Sequence, residues 1–302
     1  MSIVASERSL KNLLKGQSKL SKSPLKRLNQ LRSSAVNQIN TLKFPTKNDE
    51  EWRFTDISPL TKTSFQPLRV MSPLQNSDIE HFYLTETVTR LVFINGIYAP
   101  HLSVQITKKS KNSGVVVSNL ATASSKDLTA IKSHLGYYTE IKDNIFAALN
   151  TAFLNEGALI MVPKDILVEA PIHLLFITTQ KETSNHPRCL LVAEPGSNVT
   201  VIEDYVTLQE DTYITNTVAE FVIADSAHVN HIRIQRDSKK AFHMANCSVS
   251  LARASRYQSV SVAFGARISR YNLNVLLKGE GAECTADGLA LISNRQLADT
   301  HA

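Results

Sequence analysis

From Ala158 onward the sequence is a succession of short apolar, β-branched segments separated by turns, and no other feature limits the fold as tightly. The segments are ALIMVPKDI, IHLLFITT, CLLVAE, NVTVIEDYV, AEFVIAD, HVNHIRIQ, CSVSL, YQSVSVAF, YNLNVLL and GLALIS. Such runs, bounded by turn residues, read as strands. All 10 prolines lie at or before Pro195. Residues 196–302 therefore carry a backbone donor at every position, as uninterrupted ladders require.

The turns themselves recur. Ala252-Arg253-Ala254-Ser255-Arg256-Tyr257 returns as Ala266-Arg267-Ile268-Ser269-Arg270-Tyr271, and each copy leads into an alternating strand. Four turns of the pattern small, small, any, apolar (GSNV, SAHV, ASRY and GAEC) end at Val199, Val229, Tyr257 and Cys284. Their spacing is close to twice that of the copied hexapeptide. A fixed period of this size predicts a solenoid in which each coil covers the apolar face of the last. A β-sandwich has similar strand spacing but supplies no reason for a repeated turn. The expected fold is mostly β: a parallel β-helix over residues 158–302, preceded over residues 1–157 by a helical and small-β region.

In that first region, Leu25, Leu28, Leu31, Val36, Ile39 and Leu42 recur at helical spacing, with Ser23 as N-cap and Pro24 at the first helical position. The only tryptophan follows in PTKNDEEWRFTDISPL. There Trp52, Phe54, Ile57 and Leu60, set among polar residues, are expected to anchor a loop or short helix on a neighbouring core. Asn95-Gly96 marks a hairpin. The stretch SSKDLTAIKSHLGYYTEIKDNIFAALNTAFLNEG reads as helix, capped by Ser124 or Ser125, divided at Gly136 and stopped at Gly157, with Ile141, Ile145, Leu149 and Phe153 on one face.

Charge is unevenly placed. Residues 1–47 hold ten of the 33 Lys and Arg and one of the 27 Asp and Glu, so the formal net charge of +6 hides an acidic remainder. The basic arm is read as a solvated helix face; its composition also overlaps with organelle transit sequences, and contact with RNA, an anionic membrane or an acidic partner is the alternative. No apolar run reaches the ~18 residues of a membrane span, and the first twenty residues lack the apolar core of a secretion signal. Cys189, Cys247 and Cys284 are widely spaced, which indicates free, buried thiols rather than a disulfide framework or zinc site.

Candidate chemistry is sparse. His228 and His231 are three apart on a strand and so point to opposite faces, which prevents both from binding one metal ion. Asp299 and His301 are two apart and share a face as a candidate ligand or acid/base pair, with no third group fixed beside them. Arg253, Arg256, Arg267 and Arg270, interleaved with Tyr257 and Tyr271, read as an exposed basic and aromatic stripe. It would solvate the solenoid or, in a carbohydrate-active β-helix enzyme, grip an acidic sugar. Phosphate-loop, dinucleotide-binding, zinc-protease and serine-hydrolase motifs are all missing. No catalytic, cofactor-binding or metal residue is assigned.

Several of these stretches resemble one family. PTKNDEEWRFTDISPL, FAALNTAFLNEGALIMVPKDILVEAPIHLLFI, PRCLLVAEPGSNVTVIEDYV, HIRIQRDS and SRYNLNVLLKGEGAECTADGLALISNRQLADTH are similar, in order, to segments of the SufB/SufD family of iron–sulfur cluster assembly. The WRFTD segment and the lack of recognisable SufB cysteine stretches place the resemblance on the SufD side. It implies a right-handed parallel β-helix and a non-enzymatic subunit that pairs with SufB and the SufC ATPase. It also implies that the nascent cluster belongs to the full-length complex rather than to this chain alone, and a bacterial cytoplasm or chloroplast stroma as the compartment. In the family, further β-helix, a histidine at the proposed cluster site and SufC-docking helices follow DTHA. The chain is accordingly expected to be C-terminally truncated, with most of its docking surface missing, an unpaired solenoid edge and Asp299 and His301 in a turn.

Overall fold

A computed structural model describes residues 10–14, 16–17, 20–67, 73–87, 89–104, 114–124 and 127–302. Its strands are, in chain order, β1 (Gln66–Pro67), β2 (Thr89–Ile94), β3 (Ile97–Tyr98), β4 (Val116–Asn119), β5 (Ala158–Val162), β6 (Ile172–Thr178), β7 (Thr183–Asn185) and β8 (Arg188–Ala193). They continue as β9 (Asn198–Thr207), β10 (Ile214–Ile223), β11 (His228–Gln235), β12 (Phe242–Leu251), β13 (Arg256–Ala263), β14 (Ile268–Leu277), β15 (Glu283–Ala290) and β16 (Leu297–His301). From β8 on, the chain alternates between two sheets, ordered β16-β14-β12-β10-β8-β5-β4 and β15-β13-β11-β9-β6-β2-β3. Every pairing within this winding is parallel. This is a parallel β-solenoid of about 5 turns, and the sandwich alternative is excluded.

Register explains the repeated turns. Asn198 pairs with His228, His228 with Arg256 and Arg256 with Glu283, so Val199, Val229, Tyr257 and Cys284 fall in one inward row. The residue opening each turn, Gly196, Ser226, Ala254 and Gly281, has φ of 71°, 58°, 54° and 70°. A left-handed backbone is least costly without a bulky side chain, which is why the position stays small. The following Ser197, Ala227 and Ser255 are fully buried beneath the coil. The hexapeptide copies are not equivalent: in the first the left-handed residue is Ala254, third in the motif, and in the second it is Ala266, the first. The structural period is the coil, not the hexapeptide.

Strand parity sorts the side chains. In β11, Val229, His231, Arg233 and Gln235 are buried and alternate with half-buried neighbours. Facing them across the interior are Ala219, Phe221, Ala245, Cys247, Val249, Tyr271 and Leu273. Each fully buried aliphatic or aromatic side chain contributes about 1.5–3 kcal/mol, so stacked rows of them stabilise the coils jointly. At the corner after β13, Gly265 lies so close to the coil below that an added Cβ would sit 2.0 Å from the Asp237 carbonyl oxygen.

The N-terminal region covers the outer face of the first sheet. Helix α1 (Lys26–Ile39) buries Leu28 and Leu31 against Leu159 and Leu190, and helix α2 (Ile145–Ala152) lies on Ile214, Phe242 and Met244. α1 starts later than expected: its N-cap is Leu25, and Ser23 instead accepts a hydrogen bond from the Leu25 N–H at 3.1 Å. The arm is not simply solvated. Arg32 is buried and donates to the Leu154 carbonyl at 2.5 Å, and Arg27 donates to the Leu135 carbonyl at 2.8 Å. Gly136 (φ 76°) does divide the second helical stretch, into Leu128–His134 and α2. Asp127 precedes the first part, so Ser124 is not its cap, and Ser125 lies outside the described residues. Asn144 caps α2 by accepting from the N–H groups of Phe146 and Ala147. Asn95-Gly96 closes the β2–β3 hairpin, with Ile94 paired to Ile97. No described helix is long and apolar enough to cross a membrane.

Candidate functional site inside the solenoid

Charged and polar residues occupy the inward rows midway along β9 and β11. Glu203 is buried and accepts from His231 Nε2 at 3.1 Å, and His231 Nδ1 meets the Tyr257 hydroxyl at 2.8 Å. The Tyr257 hydroxyl in turn lies 3.8 Å from Cys247 Sγ. A carboxylate, an imidazole, a phenol and a thiol thus form one connected chain across the interior. Beside it, Arg233 donates to Ser261 Oγ at 3.2 Å, and its guanidinium lies over the rings of Tyr271 and Tyr205 at 4.7 and 5.6 Å.

Burial decides the protonation of these groups. It pushes the Cys247 thiol up to about 12 and holds the phenols of Tyr205, Tyr257 and Tyr271 well above their usual range. Cys189 is raised in the same way. Thiol and phenols stay neutral at physiological pH, so the chain of contacts orders the interior through hydrogen bonds and offers no activated nucleophile.

A second network closes the neighbouring corner. Asp237 accepts from the Tyr213 hydroxyl at 2.8 Å, Gln235 Nε2 at 2.7 Å and His243 Nδ1 at 2.8 Å. Burial would raise its carboxyl, but the neighbouring His243 and these donors outweigh that and hold it below the ordinary value. Burial also lowers His243.

A third network ties the tryptophan segment to the solenoid. Arg270 is buried, donates to Asp299 at 2.5 Å and to the Glu51 carbonyl at 2.7 Å, and lies 4.1 Å from the centre of the Trp52 ring. Thr55 donates to the same Asp299 carboxylate. Ile57 and Leu60 are fully buried as expected, whereas Phe54 is 83% exposed and anchors nothing.

The expected site residues are dispersed. His231 points inward and His228 outward, as strand parity requires. Asp299 and His301 lie in strand β16, paired with Arg270 and Asn272, and not in a turn. Asp299 is a structural carboxylate for Arg270. The stripe is only partly as expected: Arg253, Arg256 and Arg267 are exposed, the first two pairing with Asp225 and Glu283, whereas Arg270, Tyr257 and Tyr271 are buried. Scattered arginines of this kind remove the basis for a carbohydrate-active site. All three cysteines are free thiols; Cys189 and Cys247 are buried as expected, but Cys284 is exposed, since β15, the last strand of its sheet, is exposed along its length. Among the described residues no group of three His, Cys, Asp or Glu is placed to hold a metal ion.

Sequence reasoning passed over Glu203, Arg233, Asp237 and His243. The available signal was parity: in HVNHIRIQ, His231 and Arg233 share the inward set with Val229, and a charge on that set is a buried charge.

Comparison with known proteins agrees with this architecture. The model for the N-terminal region of SufBD proteins matches residues 4–174, and that for the SufBD core domain of SUF-system FeS cluster assembly matches residues 176–302. An iron–sulfur cluster assembly SufBD family protein of Synechocystis is 35% identical over 281 residues, covering 89% of this chain and 61% of the relative. The Arabidopsis protein ABCI7, described as chloroplastic, is 26% identical over 91% of this chain and 58% of its own length. The Escherichia coli iron–sulfur cluster assembly protein SufD is 24% identical over 88% of this chain and 60% of its own length. The chain thus spans about three fifths of the length of these curated relatives. With both family regions matched in order, and the second coinciding with the stacked coils, the chain belongs to the SufBD family.

Proposed function

We propose that the chain acts as a non-catalytic scaffold subunit in iron–sulfur cluster assembly, pairing with a SufB-like subunit and serving a SufC-like ATPase, with the nascent cluster as cargo of the complex. The observation that carries this reading is the match of both SufBD regions along almost the whole chain. The solenoid supports it physically. Ladders in two sheets and a clamped N-terminal cover form a stiff body, which is what a partner needs if nucleotide-driven motion elsewhere is to open or close a subunit seam. The neutral interior thiols and phenols fit a structural rather than a catalytic role.

Co-expression tests it. A form extended to the length of the relatives should co-purify with SufB-like and SufC-like subunits, with ATP hydrolysis following the SufC-like subunit alone. A stable lone monomer in the presence of both partners, or ATPase activity in the isolated chain, would count against the reading.

A further inference from the structure

Glu156 is a carboxylate that the scaffold reading leaves unused. It lies half-buried in the loop between α2 and β5. The loop is fixed by Gly157, where an added Cβ would sit 2.6 Å from the Arg188 carbonyl oxygen. From the β2–β3 hairpin the Tyr98 N–H donates to Glu156 Oε2. The other oxygen, Oε1, has neither a hydrogen-bond donor nor a cation among the described residues, and it is accessible rather than sealed in the interior. Arg32, behind the neighbouring wall, directs its nitrogens to the carbonyls of Leu154 and Ser21 and to Asn155 Oδ1, and none to Glu156. Burial accordingly pushes the Glu156 carboxyl up, opposed by the Tyr98 N–H, and no cation pulls it down.

Glu156 lines a cavity of about 260 Å³, together with Leu20, Ile97, Phe153, Asn155 and His186. The walls come from distant parts of the chain, and each is held in place independently. Arg32 ties the Ser21 carbonyl to Asn155, Asn95 Nδ2 donates to Thr179 Oγ1 at 2.7 Å, and His186 stacks on Phe153 with ring centres 4.5 Å apart. The cavity is therefore formed before any ligand arrives, which lowers the cost of binding. Burial keeps His186 neutral, pushed down to about 3, so among the described residues Glu156 is the only charged side chain on the wall. One open carboxylate oxygen beside aliphatic and aromatic surface is matched by an ammonium on a short apolar stem. An anion would be repelled there, and a neutral molecule would leave the carboxylate unpaired. At about 30 Å³ per water, the space takes a stem of about four or five heavy atoms with some remaining hydration.

We propose that this cavity binds a protonated primary amine, whose ammonium donates to Glu156 Oε1 and whose stem packs on Leu20, Ile97 and Phe153. The amine is a free small molecule or a lysine side chain of another polypeptide, since both present the same cation on the same aliphatic stem. The site lies between the N-terminal region and the first coils and does not depend on the scaffold reading.

The test is an NMR titration at neutral pH and fixed ionic strength that follows the Tyr98 amide, the donor to Glu156. One arm adds n-butylamine, a second adds Nα-acetyl-lysine methylamide, and a third adds butan-1-ol, which has the stem without the charge. The Tyr98 resonance should shift and saturate with at least one of the two amines. Butylamine alone assigns the site to free amines, and a response to the lysine compound assigns it to lysine side chains as well. Butan-1-ol should bind at least about tenfold more weakly, the effect of losing one charge-assisted hydrogen bond. Glu156→Gln, which keeps an acceptor for the Tyr98 N–H, should weaken amine binding by the same factor. Absence of saturation with both amines, butan-1-ol binding as tightly as butylamine, or amine binding that Glu156→Gln retains overturns the proposal. Should Glu156→Gln fail to fold, the comparison of butylamine with butan-1-ol on the unaltered chain decides the question.

Discussion

Glu220 offers the sharpest test of how the N-terminal region is held on the solenoid. It sits on the outer face of β10, fully buried, and accepts from Arg188 Nη2 of β8. Its oxygens also accept from the backbone N–H of Gly136 at 3.0 Å and of Tyr138 at 3.3 Å. Arg188 is equally buried, and beyond Glu220 it has only neutral acceptors, Asn150 Oδ1 at 3.1 Å and Thr151 Oγ1 at 3.2 Å. Glu220→Gln preserves shape and an acceptor for the Gly136 loop but leaves Arg188 without a counter-charge. Two unit charges about 4 Å apart at an effective dielectric near 20 interact by about 4 kcal/mol. Breaking one side of a buried pair typically costs about 3–5 kcal/mol. Urea unfolding at pH 7 followed by circular dichroism should therefore show a loss of about 3–4 kcal/mol at unchanged m. The double variant Arg188→Met/Glu220→Gln removes the stranded cation as well and should recover at least about 2 kcal/mol relative to the sum of the single changes. A loss below about 1 kcal/mol for Glu220→Gln, or strict additivity in the double variant, would refute the reasoning.

Three further outcomes are expected. Burial pushes His186 down to about 3. The unfolded chain then binds a proton that the folded chain refuses, and stability falls by about 1.4 kcal/mol per pH unit as pH drops from about 6.5 toward 3; His186→Asn should flatten that limb of a pH-dependent melting series. Trp52, half-buried between Arg270 and Phe146, is the only tryptophan, so its fluorescence reports docking of its segment. Arg270→Met should shift the emission to the red and speed proteolysis within residues 43–62 before global unfolding. With free thiols at Cys189 and Cys247 buried and Cys284 exposed, a thiol reagent should modify one cysteine in the native state and three in denaturant. Prompt native labelling of two or more would contradict the closed interior.

Strand positions were legible wherever one face meets solvent. HVNHIRIQ matches β11 residue for residue, because alternation survives when outward positions remain partly exposed. The first halves of β10 and β12 were not legible. ITNT and FHMAN are buried on both faces, under α2 on one side and toward the interior on the other, so polar residues there are hydrogen-bonded core rather than surface. Asn216 shows this: its side chain donates to the Phe146 carbonyl at 2.8 Å. The ending misled for a related reason. β15 ends at Ala290 and β16 begins at Leu297, and Asp299 reads as a turn residue until Arg270 is seen pairing with it.

The sequence by itself determined the solenoid, its period and the small residue opening each turn, since these follow from local rules of alternation, donor supply and left-handed backbone. It also carried the family resemblance, which lies in contiguous stretches. Only the tertiary structure decided which charges are inside. Residues 203, 231 and 257 become one hydrogen-bonded diagonal because stacking sets their rows side by side on successive coils. Parity says that a side chain points inward, but what it meets there is set by the rungs above, below and opposite, which lie about a coil away in the chain.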